Sequence, residues 1–203
     1  MTAGRIGFLD FARLVIDALE ATKVDYLIGG SVALWAWGEP RTTIDFDLVV
    51  NLPFEQVYAL SKELERRDML VPPDVMTDLL LQEEGDLPIN AIHLKSNFKA
   101  EFFLLRADDH FRATAFARRR LVDLGPPLGE VYVHAPEDLI LNKVHYYSLS
   151  YQTKHVRDIC SMITLLPSEI DMEYISTWAA RLGISQTWQD IQEKIARKTS
   201  RDG

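Results

Sequence analysis

Apolar residues recur at helical spacing from Phe8 to Ala21, where Phe8, Phe11, Leu14, Val15 and Leu19 share one stripe, and this spacing predicts an amphipathic helix. The next apolar run, Tyr26 to Ile28, is short and runs into Gly29 and Gly30. It reads as a strand and a turn, and Ser31 to Trp37 as the helix that follows. From Ile44 the period changes to two. Ile44, Phe46, Leu48 and Val50 fall on one face of a predicted strand, and Asp45 and Asp47 fall on the other.

Phe54 to Arg67 returns to a helical period, whereas Val71 to Leu87 is weakly patterned, with acids and prolines that suggest a loop or a short helix. Asn90 to Leu94 and Phe98 to Leu105 read as two strands joined by the turn-like Lys95-Ser96-Asn97. On the second, Lys99, Glu101 and Phe103 share a face. A helix over Asp109 to Arg119 and a short strand over Val131 to Val133 complete the first part of the chain. Beyond Pro136 the pattern is helical throughout, at Pro136 to Ser148, Thr153 to Leu166, Met172 to Leu182 and Ser185 to Arg197. Alternating elements over 1–135 followed by helices alone over 136–203 predict an α/β (α+β) fold with a C-terminal helical lobe.

The 203 residues, 47% of them hydrophobic, are enough for one good core with a smaller lobe attached. A net charge of -8 disfavours broad electrostatic capture of nucleic acid or of an anionic membrane, so a nucleic-acid substrate would need a local basic patch. Cys160 has no cysteine to pair with and lies among Val156, Ile159 and Ile163 at helical spacing, so a buried core thiol in a reducing cytoplasm is the expectation. Met1 to Asp10 holds one arginine and no long apolar run, and no window approaches a membrane span. Neither secretion nor membrane insertion is expected.

The chemistry gathers around the acidic strand. Aspartate is depleted in strands and two carboxylates side by side repel, so Asp45 and Asp47 ask for a cation between them, which suggests a divalent metal. The strand, Gly29-Gly30 turn and helix from Ser31 present free backbone N–H groups to an anion. In the helical lobe, Pro136 suits a first turn, Glu137 and Asp138 complement its dipole, and Lys143 sits against the apolar neighbours Leu139 and Ile140. Its ammonium must reach an anion or solvent, and Asp158 on the next helix is in reach if the two helices are antiparallel neighbours. Each piece also has an ordinary reading: an acid-x-acid pair as a solvated face, Gly29-Gly30 as a plain turn, Lys143 as a surface lysine, and Arg118-Arg119-Arg120 as a solvated charge run. The five histidines lack metal-ligand spacing, which argues against zinc.

Taken together, Gly29-Gly30-Ser31, the run Arg41-Thr42-Thr43-Ile44-Asp45-Phe46-Asp47-Leu48, and Pro136-Glu137-Asp138-Leu139 leading to Lys143 and Arg157-Asp158 resemble the nucleotidyltransferases with a polymerase-β-like fold. Among these the chain looks most similar to the AbiEii-type toxins of toxin-antitoxin systems. The resemblance runs from about Val24 to Leu166, and it implies a small mixed sheet with flanking helices for the first part of the chain. It implies that Asp45 and Asp47 hold Mg²⁺, that Gly29, Gly30 and Ser31 contact a nucleoside triphosphate such as ATP, and that Lys143 touches the triphosphate while Asp158 is the late catalytic aspartate. Arg41 and Thr43 fall in the stretch just before the acids. Where many such enzymes place a third aspartate, Glu101 is the match here, as ligand or base.

Three classes of function stay open on the sequence. The favoured one is a Mg²⁺-dependent nucleotidyltransferase acting on RNA, such as tRNA, or on a protein hydroxyl, with a cognate antitoxin protein as partner. The second modifies a small molecule of the aminoglycoside kind, whose cationic groups would suit the acidic chain. The third is a non-catalytic nucleotide-binding or partner-binding module of the same fold, favoured if Glu101 lies far from Asp45.

Overall fold

The acidic strand lies inside a seven-stranded mixed sheet. A computed structural model describes residues 6–82 and 85–202, without the side chains of 198–202. Met1–Arg5 of the N-terminal stretch, and Glu83 and Glu84 of the weakly patterned segment, lie outside the described residues.

In chain order the elements are α1 (Phe8–Ala21), β1 (Asp25–Ile28), α2 (Gly30–Trp37), β2 (Asp45–Asn51), a 3₁₀ turn (Phe54–Gln56), α3 (Val57–Glu65), β3 (Met69–Leu70), α4 (Pro73–Leu81), β4 (Ile89–His93), β5 (Lys99–Leu104), α5 (His110–Ala117), β6 (Arg120–Asp123) and β7 (Glu130–Val133). The helices α6 (Pro136–Ser150), α7 (Thr153–Leu165), α8 (Met172–Arg181) and α9 (Ser185–Asp202) follow. The chain forms two compact units: residues up to 32 with Arg41–His134, and Ala33–Pro40 with the residues from 135 onward, so that the division falls inside α2.

In the first unit the strand order is β3-β4-β5-β2-β1-β7-β6. Its centre is parallel at β2–β5 and antiparallel at β1–β2, with β1–β7 again parallel. Phe46, Leu48 and Val50 are buried on one face of β2, where Phe8 of α1 meets Phe46 edge-on with ring centroids 6.4 Å apart. The opposite face carries Asp45 and Asp47 at its N-terminal end but Val49 further along. There Val49 packs with Leu27 of β1 and Phe116 of α5, so the face is acidic over one half and core over the other. Ile44, expected on the apolar face, is 66% exposed because the ladder begins one residue later, at Asp45.

The second unit is helical. Gly38, after α2, fits where a Cβ would stand 2.6 Å from both Leu34 Cδ1 and Ser161 Oγ, and the Ser161 hydroxyl accepts the Glu39 N–H at 3.2 Å. A side chain at residue 38 would make Leu34 or Ser161 move aside.

Three local expectations change. Pro73–Leu81 forms a helix, with Pro73 in its first turn and Met76 fully buried, where the sequence pattern left a loop or short helix open. Arg120 belongs to strand β6 rather than to the end of a charged helix, because pairing with β7 at the sheet edge overrides local composition. Cys160 is half-buried instead of buried. Among the described residues no helix is long and apolar enough to cross a membrane.

Candidate functional site

Thr43 fixes the start of β2. Its hydroxyl donates to the Asp45 carbonyl at 3.0 Å and accepts the Asp45 N–H at 3.3 Å, a local bracket that sets the backbone from which the Asp45 side chain projects. Asp45, Asp47 and Arg41 are all half-buried. The parallel register then places Lys99 of β5 opposite Asp45, and Glu101 opposite Asp47. Cross-strand partners share a face, so the four side chains form one patch of three carboxylates and one ammonium.

Lys99 joins that patch together. Its Nζ lies 2.6 Å from Glu101 Oε1 and 3.6 Å from Asp45 Oδ1. The hydrogen bond to Glu101, reinforced by the charges of Glu101 and Asp45, raises the Lys99 ammonium above its ordinary pKa against the opposing effect of partial burial. Glu101 is therefore not remote from Asp45: both contact one cation.

The glycine turn abuts the same strand. The Gly29 N–H donates to the Asp47 carbonyl at 2.9 Å, continuing the β1–β2 ladder to the first turn of α2. Gly30 then turns with φ +58°, and a Cβ there would overlap Oδ2 of Asp47. The Asp47 carboxylate thus stands against the N-terminal end of α2, where the positive end of the helix dipole favours a negative charge. Ser31 is buried in that turn. Buried His134, whose N–H bonds the Ile28 carbonyl at 3.0 Å, lies beside Gly29: a Cβ there would meet its Cδ2 at 3.4 Å.

Within the second unit the ion pair expected between Lys143 and Asp158 forms, with Nζ 2.7 Å from Oδ2 and the residues 4% and 2% exposed. It ties α6 to α7. Asp158 also offers its carbonyl to the Ser161 hydroxyl at 3.0 Å. The two acids in the first turn of α6 do more than complement its dipole. Asp138, fully buried, accepts the Tyr174 hydroxyl at 2.6 Å, and Glu137 Oε1 accepts the Asp171 N–H at 3.2 Å, so both link α6 to the start of α8.

The donor set of β2 and β5 consists of carboxylate oxygens alone, the chemistry of magnesium rather than zinc. No group of three metal-ligating side chains is gathered around one point among the described residues. Magnesium does not need one, since it takes one or two protein carboxylates and completes its shell with water and phosphate. Lys99 already places one positive charge against Asp45 and Glu101 on this face. Asp45 and Asp47 therefore fit the ion.

The first unit thus brings together Gly29, Gly30, Asp45, Asp47 and Glu101, with Thr43 as a bracket, while Lys143 and Asp158 form their own buried pair in the second. Two neighbours of the acidic patch were not singled out from sequence. The shared face of Lys99 and Glu101 was a usable signal for the first, but only β2–β5 pairing shows that Lys99 reaches Asp45. Nothing in the sequence marks His134, which arrives beside Gly29 through the β1–β7 pairing.

No family model matches the chain, and no characterised protein matches it in sequence. Solved structures do match its fold. The antibiotic-resistance factor ANT(2″)-Ia in solution is similar with a TM-score of 0.57 at 14% identity, covering 95% of this chain and 97% of that one. Its crystal structure with adenylyl-2″-tobramycin gives 0.57 at 19% identity over 85% and 95%. An antigenic nucleotidyltransferase-like protein from Paracoccidioides brasiliensis gives 0.53 at 18% identity over 93% and 92%. The chain has the fold of these nucleotidyltransferase structures.

Proposed function

We propose that the protein is a nucleotidyltransferase that moves a nucleoside monophosphate from a nucleoside triphosphate to a hydroxyl group. One observation carries this reading: the Asp47 carboxylate and the glycine turn at the start of α2 occupy the same place. A triphosphate using the backbone N–H groups of that turn would meet a carboxylate already there, so a cation between the two anions is needed. Asp45 and Asp47 are the residues to hold it, with Glu101 at the margin.

In the reaction the acceptor oxygen forms a bond to the α-phosphorus as the bond to pyrophosphate breaks in line with it. Gly30 and Ser31 orient the phosphates, Gly29 forms the turn with its N–H held by the Asp47 carbonyl, Thr43 fixes the backbone of Asp45, and Glu101 or a group near it takes the acceptor's proton. Magnesium, when bound, supplies charge neutralisation at the phosphates and a lowered pKa for the hydroxyl. The same reading gives Arg41 a supporting positive charge, while Lys143 and Asp158 remain the buried ion pair of the second unit.

Two acceptor classes follow. The likeness to AbiEii-type toxins suggests RNA, such as tRNA, or a protein hydroxyl, with an antitoxin partner. The net charge of -8 and the fold shared with a structure holding adenylyl-2″-tobramycin favour a small cationic acceptor instead. Nucleoside triphosphates labelled at the α-phosphate, incubated with Mg²⁺ and in turn with total RNA, cell protein and a panel of aminoglycosides, separate the two. Label is expected in one acceptor class with the parent chain and in none with Asp47→Asn. Absence of transfer from every triphosphate would leave a non-catalytic binding module.

A further inference from the structure

We propose that Lys99 is a resident cation of the acidic patch, held by Asp45 and Glu101, and a competitor that a divalent ion must displace to bind there. The inference rests on the metal-binding reading of Asp45 and Asp47 given above and names how that site is regulated.

The register leaves Lys99 little choice of partner. It stands opposite Asp45 across the β2–β5 ladder and two residues before Glu101 on its own strand, so its side chain shares their face. At 2.6 Å from Glu101 and 3.6 Å from Asp45, one ammonium supplies the countercharge that closely spaced carboxylates require. The Glu101 and Asp45 oxygens it engages are the same hard donors that a divalent ion would use.

Two cations do not share that space without cost. A divalent ion bound to Asp45 and Asp47 would lie within a few ångströms of the ammonium, where like charges repel strongly in a partly desolvated patch. Lys99 has a way out. A third of its side chain is exposed, and four methylenes allow the ammonium to swing toward water while the stem stays on the sheet. Metal binding and the Lys99 contacts are therefore alternatives, and each weakens the other by the same factor.

This antagonism has a use. Without metal, Lys99 keeps Glu101 and Asp45 from destabilising the sheet. In its presence the ion binds more weakly than the bare donor set would allow, which keeps loading reversible.

The test measures Mn²⁺ binding to the full chain by electron paramagnetic resonance, in the absence of nucleotide. Lys99→Met should bind Mn²⁺ about tenfold more tightly than the parent chain. Lys99→Gln, which keeps a polar side chain, should show the same direction if the methionine variant folds poorly, and Lys99→Arg should retain the parent affinity. Adding Asp47→Asn to Lys99→Met should abolish the gain. Unchanged or weaker binding in both neutral variants, while the parent chain binds Mn²⁺ through Asp47, overturns this inference and leaves the metal reading intact. If no variant binds Mn²⁺ through Asp47, the metal reading fails and this inference fails with it.

Discussion

Gly30 leaves open the space that the Asp47 carboxylate fills. A side chain at residue 30 would overlap Oδ2 of Asp47, and the turn there has φ +58°. The glycine turn and the acidic strand, which are separate features along the chain, are one feature in three dimensions. Gly30→Ala is expected to lose about 1–2 kcal/mol from its left-handed backbone alone and to displace the Asp47 carboxylate as well. Urea denaturation should show the stability loss, and nucleotidyl transfer should vanish at temperatures where the variant remains folded. Gly29→Ala is the control. Its Cβ would meet His134 at 3.4 Å, an ordinary contact, so its stability should change by less than about 1 kcal/mol.

Lys143→Ala should destabilise the protein by about 3–5 kcal/mol, because it leaves the Asp158 carboxylate buried without its ammonium. Lys143→Met with Asp158→Leu removes both charges and should recover most of that loss in the same denaturation experiment. If the single and double variants unfold at the same urea concentration, the pair is not what holds α6 to α7.

Tyr174→Phe removes the hydroxyl that donates to the fully buried Asp138 carboxylate. A loss of about 1–3 kcal/mol is expected, measured as a lower denaturation midpoint. Because the bond links α6 to α8, amide hydrogen exchange should quicken first at the start of these two helices.

His93 gives the stability a pH dependence. Its ring is buried on β4, with Nδ1 2.8 Å from Ser96 Oγ and accepting the Ser96 N–H at 3.2 Å. Burial lowers its pKa from 6.5, and the charge of Lys95 adds to this while Asp68 opposes it. The unfolded chain therefore binds a proton before the folded chain does. Stability is fully present above about pH 6.5 and falls as the pH drops from there toward the lower folded value. Urea midpoints at pH 8 and pH 5 should differ less in His93→Gln than in the parent chain.

Much of the fold was legible because its signals are local. The period-two run from Ile44 to Val50, the helical stripe at 8–21 and the all-helical pattern after Pro136 each reflect one element burying one face, and each forms as read except at Ile44. What escaped was settled by pairing. Met69–Leu70 and Arg120–Asp123 are strands because β4 and β7 offer them ladders, and neither stretch alternates strongly enough to show it alone. Ile44 has the composition of its strand but sits one residue before the ladder begins.

The candidate site divides in the same way. By itself the sequence determined that Asp45 and Asp47 share a strand face, that a glycine turn precedes a helix, and that Lys143 and Asp158 lie on successive helices, since each follows from periodicity or from spacing within one or two elements. The tertiary structure alone decided that β5 pairs with β2 in the register that sets Lys99 against Asp45 and Glu101 opposite Asp47, and that the Asp47 carboxylate stands against Gly30. Strand register depends on contacts between segments some fifty residues apart. No local pattern records that Lys99 of one strand will stand opposite Asp45 of the other.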